Sequence, residues 1–99
     1  MGLKMLDTDT AEVTGDAVNV RPTGAGSHYG RLGVFITGTL SAGKVNLEVS
    51  GTAKGNDFVV DTEYTSTGLQ TFSKAAERIR FSTNDAFSGD VQVYIIPGP

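Results

Sequence analysis

The residues of this chain that could do chemistry are few and lie far apart. Ser27 precedes His28, and a serine beside a histidine is the beginning of a nucleophile and its general base if an acid from elsewhere orients the ring. The pair falls in Thr23-Gly24-Ala25-Gly26-Ser27-His28-Tyr29-Gly30, with no Gly-x-Ser-x-Gly elbow around it and no helix after it to build an oxyanion hole. His28 and Tyr29 are therefore expected to form an exposed loop tip, the kind of place where partners are met. Gly24-x-Gly26 in the same loop is not a phosphate cradle, because neither a helix nor a Lys-Ser or Lys-Thr pair follows.

The acidic residues give no stronger signal. Asp7-x-Asp9 and Asn56-Asp57 are the most oxygen-rich stretches, but neither has the glycine and glutamate of a dedicated calcium loop. Glu48, Asp61 and Glu63 fall on expected strands, where two of them facing across a cleft could cleave a glycosidic bond. The chain has no tryptophan and no cluster of aromatic platforms to hold a sugar there. Without cysteine, and with His28 as its one histidine, it cannot assemble a zinc site of His and Cys ligands. No catalytic residue, metal ligand or cofactor is expected.

Charge points the same way. Eight Lys and Arg against eleven Asp and Glu give a net charge of −3, evenly spread. Nucleic-acid binding needs a basic stripe that releases counterions from phosphate, and none is present. Arg78 and Arg80 are the tightest basic pair; their spacing puts both on one strand face, opposite Ile79 and Phe81, as solvated outer charges. No stretch of ~18 apolar residues runs unbroken, and the opening Met-Gly-Leu-Lys-Met-Leu-Asp is too short an apolar run for a signal peptide, so no membrane partner is expected.

The elements that must carry these residues are strands. Val45, Leu47 and Val49 alternate with Asn46, Glu48 and Ser50, and Val91, Val93 and Ile95 alternate with Gln92 and Tyr94. This period of two places one apolar row on the inner face of each strand. Further strands are expected at Ala11 to Val13, Ala17 to Val20, Arg31 to Leu40, Asp57 to Glu63, Leu69 to Ser73 and Arg78 to Thr83, with glycine-rich turns between them and Ser41-Ala42-Gly43 as a hairpin into Lys44 to Ser50. Seven or eight short strands in 99 residues predict one all-β domain over residues 11–99: an antiparallel β-sandwich of jelly-roll or immunoglobulin-like order. Residues 1–10, with Leu3, Met5 and Leu6 ahead of Asp7-Thr8-Asp9-Thr10, are expected to be a flexible N-terminal arm that either frays or adds to a neighbouring sheet edge. Phe35, Val59, Tyr94 and Ile96 stand opposite the inward rows of their own strands. Such residues are either covered within the fold or lie at a subunit contact.

From Gly30 onward the chain resembles the small β-sandwich virion proteins of tailed bacteriophages. The segments that carry the likeness are Arg31-Leu-Gly-Val-Phe-Ile-Thr-Gly-Thr-Leu, Gly43-Lys-Val-Asn-Leu-Glu-Val-Ser, Asp57-Phe-Val-Val, Gly68-Leu-Gln-Thr-Phe, Glu77-Arg-Ile-Arg-Phe and Ser88-Gly-Asp-Val-Gln-Val-Tyr-Ile. Phe58 stands where such proteins commonly have tryptophan, and Lys54-Gly55-Asn56-Asp57 only approximates their preceding turn. The resemblance implies a non-enzymatic virion structural protein, a capsid decoration, head-fibre or tail accessory subunit assembled in the bacterial host cytoplasm. It implies a small homo-oligomer, expected to be a trimer, attached to other virion proteins such as the major capsid protein. On that reading Leu3, Met5 and Leu6 anchor the arm or swap between subunits, and Tyr94 and Ile96 line the contact. The alternative is a carbohydrate- or ligand-binding sandwich with His28 and Tyr29 at its recognition end.

Overall fold

The computed structural model describes residues 3–20, 32–52, 54–74 and 76–97. Their strands are β1 (Leu3–Thr8), β2 (Val18–Asn19), β3 (Leu32–Ala42), β4 (Val45–Ser50), β5 (Val59–Tyr64), β6 (Gly68–Phe72), β7 (Arg78–Thr83) and β8 (Ser88–Pro97). They form two antiparallel four-stranded sheets, β1-β8-β3-β6 and β2-β7-β4-β5. The pairs β1–β8, β2–β7, β3–β6 and β4–β5 are those of one long hairpin. The pairs β3–β8 and β4–β7 close when that hairpin rolls into two layers. This is jelly-roll order, and it decides between the two sandwich orders that periodicity left open.

The alternating rows make the core. Leu32, Val34 and Ile36 of β3 and Val91, Val93 and Ile95 of β8 face Val45 and Leu47 of β4 and Ile79 and Phe81 of β7, and all are buried. Phe72, Tyr64, Phe87 and Val20 fill in around them. Burying each such side chain contributes about 1.5–3 kcal/mol relative to exposure, so these rows outweigh any single polar contact in the molecule.

Three differences from the sequence reading lie in β1, at the corner after β3 and in the segment before β2. Residues 3–8 are not an arm: β1 pairs with β8, from Leu3 opposite Ile95 to Thr8 opposite Val91, so the sheet edge they add to is the chain's own. The register slips between Lys4 and Leu6, which makes Met5 an extra residue. A bulge of this kind lets neighbouring side chains point the same way. Met5 and Leu6 both enter the core as a result. The alternation is broken at that point, which is why the segment does not look like a strand.

The second difference is the turn at Ser41-Ala42-Gly43. It is not a hairpin but the corner where the chain passes from one sheet to the other, since β3 and β4 belong to different sheets. Third, Ala11–Val13 does not form a ladder of its own. It follows the edge of β7, where Thr83 N donates to Val13 O at 2.9 Å, Val13 N to Thr83 Oγ1 at 3.0 Å and Thr83 Oγ1 to Thr10 O at 2.9 Å. These bonds satisfy a polar side chain that would otherwise be buried at a cost.

One close approach depends on glycine. Where β3 and β8 cross, Gly38 (φ +97°) and Gly89 (φ +147°) bring the strands so near that a Cβ on either would lie 2.1 Å from a carbonyl oxygen of the other strand, Asp90 O and Thr39 O respectively. Both positive φ and lack of space exclude a side chain there.

If β1 is part of the core, Leu6→Ala lowers the unfolding free energy by about 2–5 kcal/mol, as truncation of a buried leucine does. Urea unfolding followed by tyrosine fluorescence measures it. A change near zero would restore the arm.

Candidate functional site

Each sheet has an outer face, and the two differ in chemistry. On the β2-β7-β4-β5 face, β4 and β7 set Asn46 opposite Ser82, Glu48 opposite Arg80 and Ser50 opposite Arg78. Arg80 Nη2 lies 2.8 Å from Glu48 Oε1, and Ser82 Oγ donates to the other carboxylate oxygen of Glu48. Arg78 donates to Gly55 O at 2.8 Å and to Thr52 O at 3.0 Å, which holds the 51–57 turn down on the sheet. The Asp57 carboxylate closes the turn, accepting from Ser50 Oγ at 2.6 Å and Thr52 Oγ1 at 2.9 Å. Phe58 lies against both guanidinium groups, with the Cζ atoms of Arg78 and Arg80 at 4.8 and 4.1 Å from its ring centre. Cations over an aromatic face are attracted by its quadrupole. The arginine pair expected as solvated charges is thus largely consumed in packing. Nothing local in the sequence links Phe58 to residues twenty positions away, and only the fold brings them together.

The carboxylates that could have served catalysis or metal binding are engaged one by one. Glu48 is held by Arg80 and Ser82, Asp61 by Lys74 Nζ at 2.8 Å and Thr62 Oγ1 at 2.7 Å, and Glu63 by Lys44 Nζ at 3.1 Å. Asp7 is bonded to Lys4 Nζ at 3.3 Å and Gln92 Nε2 at 3.2 Å. Among the described residues no three His, Cys, Asp or Glu side chains converge as a metal-binding group. His28 and Tyr29 lie outside the described residues.

The β1-β8-β3-β6 face carries an apolar patch instead, bordered on the same side by Lys4 and by the row of Asp7, Gln92 and Thr37. Phe35 of β3 stands between Tyr94 of β8 and Leu69 of β6 in the register of the sheet, and Ile96 lies beside Gly33 on the next row. The rings of Phe35 and Tyr94 are tilted at 36° with centres 6.3 Å apart. Phe35 is 39 %, Leu69 64 % and Ile96 37 % exposed, far above what residues of this size show in a covered layer. Phe35, Thr37, Tyr94 and Ile96 line a shallow, open depression with no enclosing walls. The outward placement of Phe35, Tyr94 and Ile96 follows from alternation. Leu69 joins them through its register opposite Phe35. Leu3 is exposed too, but at the start of β1 on the inward row opposite Ile95.

Val59 and Val60 are both exposed, at 61 and 50 %, although strict alternation, with Val59 outward, would turn Val60 inward. The cause is the register slip that leaves Asp61 unpaired: Leu47 is opposite Thr62 and Glu48 opposite Val60, so the phase of β5 changes along its length.

No family model matches the chain, and no curated protein matches it. Among solved structures it is similar to the SPBc2 prophage-derived protein YomS, with a TM-score of 0.70 and 16 % identity over 98 % of this chain and 90 % of that one. The likeness is one of fold.

Hydrogen bonds from Ser50 and Thr52 hold the Asp57 carboxyl below its ordinary 3.8, and those from Lys74 and Thr62 do the same for Asp61. A carboxyl lowered in the folded state contributes stability that is complete above the unfolded value and is lost as pH falls through the lowered one. Urea midpoints should be level between about pH 5 and pH 7 and fall below about pH 4. Asp57→Asn should flatten part of that fall. An equally steep fall in the variant would show that the turn does not carry it.

Proposed function

We propose that this chain is a non-enzymatic structural subunit of a phage particle, a decoration or tail accessory protein that attaches through the outer face of its β1-β8-β3-β6 sheet to a larger virion protein. The observation that carries the reading is the contrast between the two faces. One is closed by ion pairs and a pinned turn; the other leaves Phe35, Leu69 and Ile96 exposed around a half-buried Tyr94. Contiguous apolar surface of this kind on a small domain marks a protein contact, and its aromatic share is typical of the residues that dominate binding energy. The face is flat and open, which suits a broad partner surface better than a small molecule, since small ligands are held in concave sites.

The fold shared with a prophage-derived protein supports the phage setting, as does the pattern of strand segments that resembles virion sandwiches. A localisation in the particle follows: the subunit folds in the host cytoplasm and is incorporated on assembly. Self-association of the subunit belongs to the same reading.

Gradient-purified particles of the encoding phage should contain the chain by mass spectrometry. Phe35→Ser with Ile96→Ser should remove it from the particles while leaving the melting temperature within a few degrees, because both side chains are outside the core. Particles that lack the wild-type chain, or that retain the double variant at wild-type level, would contradict the proposal.

A further inference from the structure

The two sheets end in four edge strands, β1 and β6 on one and β2 and β5 on the other. An edge strand offers a row of free main-chain N–H and C=O groups, and proteins commonly block such rows with bulges, charges, proline or sheer shortness. Three of the four edges are blocked here. β1 has a register slip at Met5 and carries Lys4 and Asp7; β2 is two residues long; β5 has a register slip at Asp61 and carries Asp61 and Glu63. β6 has none of these devices. Gly68-Leu69-Gln70-Thr71-Phe72 contains no charge and no proline, and its register with β3 runs unbroken from Phe72 opposite Leu32 to Gly68 opposite Ile36. Leu69, Gln70 and Thr71 are exposed, and among the described residues no strand pairs with the far side of β6.

We propose that the β6 edge pairs antiparallel with the β6 edge of a second copy of this chain across a two-fold axis, joining the two β1-β8-β3-β6 sheets into one continuous sheet. A second copy fits for two reasons. The first is self-complementarity: pairing centred on Gln70 sets Gln70 opposite Gln70 of the second copy and Leu69 opposite its Thr71. A two-fold axis normal to the sheet keeps Leu69 and Thr71 of both copies on the same outer face, with both Gln70 side chains on the other side, on the row of Val34. The second is charge. Each copy carries a net charge of −3, so two copies repel at most surfaces, and β6 is a stretch where they meet without like charges. The same pairing through β5 would bring acidic residues of both copies to one seam.

The pairing sets two Phe35-Leu69-Tyr94 rows side by side and so doubles the apolar face. It replaces the three-fold assembly implied by the resemblance with a two-fold one. It is independent of the particle reading, because it concerns the purified chain alone.

Light scattering after size-exclusion chromatography, over a dilution series of the full chain, tests it. The wild type should show a concentration-dependent dimer mass. The double variants Leu69→Lys/Thr71→Lys and Leu69→Glu/Thr71→Glu each place like charges opposite one another twice, and each should dimerise roughly tenfold more weakly. Both alter exposed side chains, and unchanged circular dichroism would confirm that they fold. Mixing the two in equal amounts should restore the dimer, because Lys then meets Glu at both positions. The proposal fails if the wild type stays monomeric across the series, if the charged variants dimerise as the wild type does, or if the folded variants stay monomeric when mixed. A trimer mass would also overturn it, and so would a wild type that forms only a stable complex with a foreign strand.

Discussion

The contact on which the rest of the structure depends is the meeting of two sets of inward rows, Leu32-Val34-Ile36 and Val91-Val93-Ile95 from one sheet against Val45-Leu47 and Ile79-Phe81 from the other. The chain has no cysteine, and no ion pair among the described residues is fully buried, so little else could hold two layers together. Each row exists because the strand alternates, and the rows coincide because the chain rolls up as one long hairpin. Everything on the outside, polar or apolar, is placed by the same alternation read one residue out of phase.

That constraint leaves the two outer faces free to diverge. On one, Glu48, Ser50, Arg78, Arg80 and Ser82 stand between the core positions, bond to one another and draw the turn after β4 and Phe58 down over themselves, while Asn46 Oδ1 on the same face is buried without a partner. On the other they include Phe35, Leu69, Tyr94 and Ile96, which lie against one another and leave Phe35, Leu69 and Ile96 exposed. The polar face is covered largely by its own side chains and turn, and the apolar patch is left exposed. An apolar row on a solvent face costs solubility, and its presence beside a fully formed core means the core does not need it.

Much of this was legible in the sequence, and the failures share a cause. β7 falls on Arg78–Thr83 as alternation places it, and β3, β4 and β8 differ only at their ends, because each keeps one phase over at least five residues. β1 and the inner row of β5 were missed where register slips at Met5 and Asp61 change the phase, and a phase change in so short a segment looks like absence of pattern. The corner at Ser41-Ala42-Gly43 has hairpin composition, and only the assembled sheets show that its strands part company. The outward row of the apolar face was visible in Phe35, Tyr94 and Ile96. Leu69 needed the β3–β6 register, and the Phe58 stack needed the fold.

Native-state amide hydrogen exchange across a urea series is the most direct test of the two-layer core. Amides of β3, β8, β4 and β7, the strands with partners on both sides, should exchange only through global unfolding and converge on one opening free energy. Amides of β3 or β8 opening at distinctly lower cost than those of β4 and β7 would mean that the layers do not depend on each other, and the account of both outer faces would fall with them.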